Sequence, residues 1–326
     1  MRWSLILALV VACDGEPTPV DTDTGDTQDT EDTDTTIPVQ WVDRTIETST
    51  TLTDVYSGGG GAWVVGEDGK AWRLDNGQAD TMETGVEADL LGLWGQGDGS
   101  SANLVAVGYA GSALRLVADD WVAFEDTTLG TTNFEDVDGT STDLTAVSAT
   151  GIYRFDGTSW TFEDNGANAH IRAVWVESGG NAWAVGDNGI VLRREAGVWS
   201  SVRGAPSGVD LRDVHGSGGD VYIVGNRGTL WHLSGGEFTD IETDTTLNLS
   251  GVWVSSLGNV FVVGNNGLAM KYDPDREPAD SDSPVGGFDM LPTGTQSNLY
   301  AVYGSGEDNV WAVGNRGAVF RYTGSR

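Results

Sequence analysis

Seven times along this chain a short apolar run closes on a glycine, or once on a serine, and a further glycine follows three residues later. The runs are Ala62-Trp63-Val64-Val65-Gly66, Val105-Ala106-Val107-Gly108, Leu144-Thr145-Ala146-Val147-Ser148, Ala182-Trp183-Ala184-Val185-Gly186, Val221-Tyr222-Ile223-Val224-Gly225, Val260-Phe261-Val262-Val263-Gly264 and Val310-Trp311-Ala312-Val313-Gly314. The following glycines are Gly69, Gly111, Gly151, Gly189, Gly228, Gly267 and Gly317. The units are spaced 42, 40, 38, 39, 39 and 50 residues apart. A period near 40 residues, with several short strands in each unit, is the signature of a β-propeller blade.

Each unit divides into four strands. The first reads Leu-x-x-Val-x, as in Leu52-Thr53-Asp54-Val55-Tyr56 and Leu211-Arg212-Asp213-Val214-His215. The glycine-closing run is the second. A tight turn such as Asp187-Asn188-Gly189 leads to the third, because Asn, Asp and Gly tolerate positive φ. The fourth centres on an aromatic residue, as at Trp121, Trp160, Trp199 and Phe238. The last unit ends at residues 319–324 without a fourth strand, while Gln40-Trp41-Val42-Asp43-Arg44 reads as a fourth strand with no blade of its own. Pairing the two closes the ring and removes both free edges. The expected fold is therefore all-β: a seven-bladed β-propeller of four-stranded antiparallel blades over residues 40–326, closed by the N-terminal strand joining the C-terminal blade.

The chain ahead of the propeller has a different character. Met1-Arg2 precedes an apolar run from Trp3 to Ala12, too short to span a bilayer and shaped like a secretory signal. Val10-Val11-Ala12-Cys13 resembles a bacterial lipobox, which implies cleavage after residue 12 and acylation of Cys13, the single cysteine of the chain. Residues 13–39 then form a Thr/Asp-rich tether with too little apolar content to fold by itself. The 49 acidic and 17 basic residues give a net charge of −32, which excludes a nucleic-acid binder. One cysteine and three scattered histidines offer no ligand set for a structural zinc, and no cofactor is expected.

The units, and Val-Trp-Ala-Val-Gly-Asn-Arg-Gly (310–317) and Ala-Trp-Ala-Val-Gly-Asp-Asn-Gly (182–189) above all, resemble those of myxobacterial-type repeat lipoproteins with a propeller. They are also similar to the photosystem II assembly and stability factors. More loosely, Asp156-Gly157-Thr158-Ser159-Trp160 resembles the Asp-box, or BNR-like, repeat. The resemblance implies a fold; propellers host unrelated activities.

Two rings of residues are candidates for a site. Arg73, Arg115, Arg154, Arg193, His232, Lys271 and Arg321 take equivalent third-strand positions. They form either a belt that recognises carboxylates, as the assembly-factor resemblance implies, or a set of ties between neighbouring acids. Tyr56, Trp94, Asp138, Trp175, His215, Trp253 and Tyr303 take one position of the first strand, after a valine in every unit but the second, where Leu93 stands. They are either packing between blades or the lining of a channel mouth, with Asp138 and His215 its polar members. In the insertion between the third and fourth strands of the sixth unit, Asp273, Asp275, Asp280 and Asp282 are a weak candidate for a cation site.

No nucleophile–base motif, phosphate loop or zinc-protease motif is present in the sequence, so no catalysis is expected. The expected function is a lipid-anchored, monomeric envelope scaffold that binds an unidentified protein partner. The alternatives are a carbohydrate-binding or degenerate glycosidase-like propeller and a purely structural surface protein. The expected location is the bacterial envelope, at the outer membrane or cell surface rather than the inner membrane.

Overall fold

The second strand of each unit is apolar at nearly every position, which suits only a strand covered on both faces. The computed structural model of the protein, which describes residues 41–97, 103–164, 169–177, 179–205, 207–276 and 287–324, places it so. Val64, Val65, Ala106, Ala184, Val185, Ile223, Val262 and Val263 are fully buried, although they belong to one-layer blades. Neighbouring blades supply both covers, and the first strands pack side by side around the ring axis.

Seven four-stranded antiparallel sheets make the ring, as the repeat predicts. Six follow chain order. In the fourth blade, for example, the strands are Ile171–Val176, Ala182–Gly186, Val191–Glu195 and Val198–Ser201. The seventh takes its outer strand, Trp41–Asp43, from the other end of the chain, with Trp41 opposite Tyr322 and Asp43 opposite Phe320. Backbone bonds extend the seam: Arg44 N–H to the Val319 carbonyl at 2.8 Å and Ile46 N–H to the Gly317 carbonyl at 3.0 Å.

The repeated glycines mark close backbone approaches. A Cβ at Gly66 or Gly186 would fall on the carbonyl of the residue that precedes its own inner strand. After these glycines six blades turn through a short 3-10 segment whose middle residue has left-handed φ: Asp68, Ala110, Asn188, Arg227, Asn266 and Arg316. Ala110, Arg227 and Arg316 are not the Asn or Asp expected from turn chemistry. A contact from the next blade supports the conformation. The N–H of Ala110 donates to Asn133 Oδ1 (3.0 Å) and that of Arg227 to Asn248 Oδ1 (3.0 Å). Asp68, Asn188 and Asn266 are pinned in the same way by Asp89, Asp210 and Asn298. In the third blade Ser148 replaces the glycine, and its hydroxyl donates to the Gly151 carbonyl at 2.9 Å to hold a different turn.

Candidate functional site

The seven basic candidates occupy one register of the third strand, each opposite a second-strand residue: Arg73 faces Trp63, Arg193 faces Trp183, Lys271 faces Phe261 and Arg321 faces Trp311. That register lays cations on ring faces, at 5.6 Å for Arg73, 4.9 Å for Arg193, 5.6 Å for Lys271 and 5.3 Å for Arg321. His232 stacks flat on Tyr222 at 4.5 Å, and Arg115 lies over Phe124 at 5.5 Å. Oxygen partners complete most of these contacts. Arg154 grips Asp143 with two bonds of 2.7 and 2.8 Å, and its guanidinium holds the Asp143 carboxyl below the usual range. Arg193 pairs with Glu195, His232 with Asp220, Lys271 with Glu307 of the next blade and, at 3.8 Å, Arg73 with Asp119 of the next blade. Arg321 donates to Asn309 Oδ1 at 2.9 Å. Standing one to a blade, these residues do not converge on a common pocket. Among the described residues the most deeply placed arginine is Arg194, 3% exposed and bonded across the blade seam to Thr145, and sequence reading passed over it.

The inner ring follows a pairing rule between blades. At three of its aromatic positions the next blade offers glycine: Tyr56 lies against Gly95, Trp175 against Gly216 and Trp253 against Gly304, whereas the equivalent residue beyond Tyr303 is Ser57. A ring laid along the seam leaves no room for a Cβ beneath it. Where the ring is polar, the next blade offers a valine N–H instead. Asp138 Oδ2 accepts from Val176 at 2.6 Å and His215 Nδ1 accepts from Val254 at 3.1 Å. Tyr56, Trp94 and Trp253 are buried, so these aromatics pack blades together. Trp175, His215 and Tyr303 are partly open towards the axis.

Two residues before this ring lies a tier that sequence reading missed. Asp54, Asp136 and Asp213 stand in the first, third and fifth blades, and Gly92, Ala173, Gly251 and Ala301 take the same place in the others. Each carboxylate accepts two backbone N–H groups. One belongs to its own following residue and the other to the next blade: Leu93 at 2.6 Å for Asp54, Val174 at 2.9 Å for Asp136 and Val252 at 2.8 Å for Asp213. The fixed offset before the valine was the available signal.

These tiers enclose a cavity of about 310 Å³ on the axis, lined by Asp54, Asp136, Asp138 and Asp213 and by no lysine or arginine. Burial raises the carboxyls, Asp136 to about 6 and Asp138 to about 7, and like charge on the same strand, Glu135 for Asp136 and Asp136 for Asp138, adds to it. Asp54 and Asp213 are driven well above the carboxylate range by burial first and by Asp136 second. Burial likewise pushes the His215 imidazole down to about 4, so it is neutral. Tyr303 borders both this cavity and a wider depression of about 630 Å³, walled by Tyr56, the backbone of Gly58–Gly60, Gly97 and Gly304, and by Asp308 and Arg321.

Asp273 and Asp275 form a turn in which the Asp275 N–H donates to Asp273 Oδ1, while Asp280, Asp282 and Cys13 lie outside the described residues. Among the described residues no three His, Cys, Asp or Glu side chains stand close enough to hold a metal ion. Asp156 caps the turn between the third and outer strands of its blade, accepting from the N–H groups of Thr158 and Ser159 at 2.9 Å each.

No protein-family model matches the sequence, and no curated protein matches it. Solved structures do match its fold. YCF48 bound to D1 peptide superimposes with a TM-score of 0.68 at 15% identity, over 87% of this chain and 97% of that one. The WD40 β-propeller domain of Doa1 gives 0.68 at 12% identity, over 86% and 96%. Streptogramin B lyase gives 0.68 at 13%, over 86% and 96%. At these identities the likeness is one of fold, shared by a peptide-bound propeller, a WD40 domain and a lyase.

Proposed function

We propose that the propeller is a non-catalytic scaffold that receives a protein segment at the mouth of its central channel, tethered to the bacterial envelope by lipid on Cys13. The depression bordered by Tyr56, Tyr303 and Gly58–Gly60 carries this reading. It is open, and the backbone of Gly58–Gly60, Gly97 and Gly304 forms part of its wall, so an approaching main chain meets peptide groups there as well as side chains. Tyr303, the more open of its two tyrosines, supplies aromatic contact area at low entropic cost. YCF48, of the same fold, has been solved with a peptide bound, which supports a peptide as the occupant. A glycan platform is not favoured, because the largest inner-ring aromatics are packed against neighbouring blades rather than displayed.

Photo-crosslinking in the native cell tests the reading. A crosslinking residue at Asp308, on the rim, is compared with one at Glu237, exposed on an outer strand. The expected result is a discrete protein adduct from position 308 alone. No adduct, or equal labelling from both positions, overturns it. The tether is tested separately by feeding an alkynyl fatty acid. Label incorporated by the natural chain and lost in Cys13→Ala is expected, and label retained in the variant refutes acylation at that residue.

A further inference from the structure

The axial cavity holds more polar capacity than the fold uses. Four carboxylates face it, those of Asp54, Asp136, Asp138 and Asp213, and the lining contains no cation to balance them. Each is bonded to backbone N–H groups, yet a carboxylate oxygen has two lone pairs and retains acceptor capacity. Two further groups are aimed into the same space. His215 accepts the Val254 N–H at Nδ1, so its neutral ring carries the proton on Nε2. Tyr303 encloses the cavity from the seventh blade, its ring 6.4 Å from that of His215. Both side chains line the cavity and are partly open to it, and neither the Nε2–H of His215 nor the hydroxyl of Tyr303 has a hydrogen-bond partner among the described residues.

Polar groups that line a cavity without a protein partner are left to water or to a ligand. The chemistry required here is specific. The carboxylates call for positive charge and several donors, the His215 N–H calls for an acceptor, and the aromatic walls suit an organic cation. An inorganic divalent ion needs several carboxylates converging at bonding distance, which these do not do. A cavity of about 310 Å³ is at the small end of ligand sites, which run from about 300 Å³ upward.

We propose that the axial cavity binds a small primary-ammonium compound, with the ammonium held by the channel carboxylates and the Tyr303 hydroxyl and an acceptor beside it taken by His215. This site shares Tyr303 with the mouth depression, but its carboxylates and His215 lie outside that depression, and the calorimetric test does not depend on a protein partner.

Titration calorimetry on the whole protein tests it, with L-lysine and 1,4-diaminobutane as probes and 1,4-butanediol and calcium chloride as controls, in about 0.15 M salt to screen the acidic surface. One saturating site for at least one of the two amines, with neither control binding, is expected. Binding should release protons near pH 7 and weaken at least tenfold from pH 8 to pH 5.5, because Asp136 and Asp138 titrate at about 6 and about 7. Surface carboxylates stay ionised over that range, so amines scattered on the surface would not respond. Tyr303→Phe should weaken binding roughly three- to tenfold with the unfolding midpoint unchanged. Neither amine binding at millimolar concentration overturns the proposal. So does weak multisite binding indifferent to pH and to Tyr303→Phe, or a site that prefers calcium.

Discussion

Asp136 Oδ2 accepts the backbone N–H of Val174, 2.9 Å away and 38 residues further along the chain, across the seam between the third and fourth blades. Asp54 and Asp213 make the same bond from the first and fifth blades. Glycine or alanine fills the position in the second, fourth, sixth and seventh. Every blade could offer such a stitch, but seven carboxylates around one axis would repel at short range in a poorly hydrated space. Alternation keeps three stitches and separates their charges.

The raised carboxyls make stability depend on pH in an unusual direction. A group whose pKa is higher in the folded than in the unfolded chain stabilises fully below its unfolded value, about 3.9 for aspartate, and loses that contribution as pH rises through its folded value. For Asp136 and Asp138 the loss is complete above about 6 and about 7, and Asp54 and Asp213 act in the same sense. His215 opposes them. Held down to about 4, it favours the fold more as pH rises towards 6.5, but each unit on one group is worth only about 1.4 kcal/mol and four carboxyls face one imidazole. The urea midpoint should be higher at pH 5.5 than at pH 7.5, and Asp138→Asn should flatten the difference. A midpoint that rises with pH over this window would refute the assignment.

Among the outer cations, geometry separates strong pairs from weak ones. Arg154 meets Asp143 through two parallel bonds, whereas Arg73 reaches Asp119 at 3.8 Å and that carboxylate is 83% exposed. Charge-assisted bonds contribute about 1.5–3 kcal/mol and exposed pairs about 0–1. Arg154→Ala is expected to cost about 2 kcal/mol in urea unfolding and Arg73→Ala under about 1. Arg154→Lys should recover little, because an ammonium cannot reproduce the fork. Equal effects at the two sites would mean that the paired geometry contributes nothing.

Blade number was legible because the fold prints it as a prohibition. At Gly66, Gly186 and their equivalents another backbone carbonyl occupies the place of a Cβ, so each blade repeats the residue. Ser148 escapes by bonding its own turn. The channel was less legible for the opposite reason. Asp54, Asp136 and Asp213 occur in three units of seven and sit among 49 acids. Only the blade-to-blade register shows that Gly92, Ala173, Gly251 and Ala301 are their counterparts. The basic belt was visible as a repeat, but its partners come from turns and neighbouring blades, as with Asp119 for Arg73 and Glu307 for Lys271, and no local pattern announces them.

Ring closure rests on a short strand with one large anchor. Trp41 is 6% exposed and packs on Tyr322 at 5.6 Å between ring centres. Truncating a buried tryptophan typically removes about 3–5 kcal/mol. In Trp41→Ala the segment 319–322 loses the anchor of its partner strand. Hydrogen exchange should therefore quicken there first, with the second to fifth blades still protected. Uniform quickening around the ring would show instead that the blades unfold as one unit and that closure is not a local event.

The pairing of Trp253 with Gly304 is a test of the inner-ring rule itself. A Cβ at position 304 would lie 2.7 Å from two atoms of the indole and 3.0 Å from a third, its three nearest neighbours. Gly304→Ala must therefore displace the ring, and overpacking of that kind costs about 1–3 kcal/mol. If the indole is the whole obstacle, Trp253→Val opens the space, and adding Gly304→Ala to it should cost far less than adding it to the natural chain. A double-mutant cycle reads the difference as a coupling of at least about 1 kcal/mol between the sixth and seventh blades. Additive effects would mean that position 304 needs glycine for its backbone, and that the aromatic–glycine match between blades has another cause.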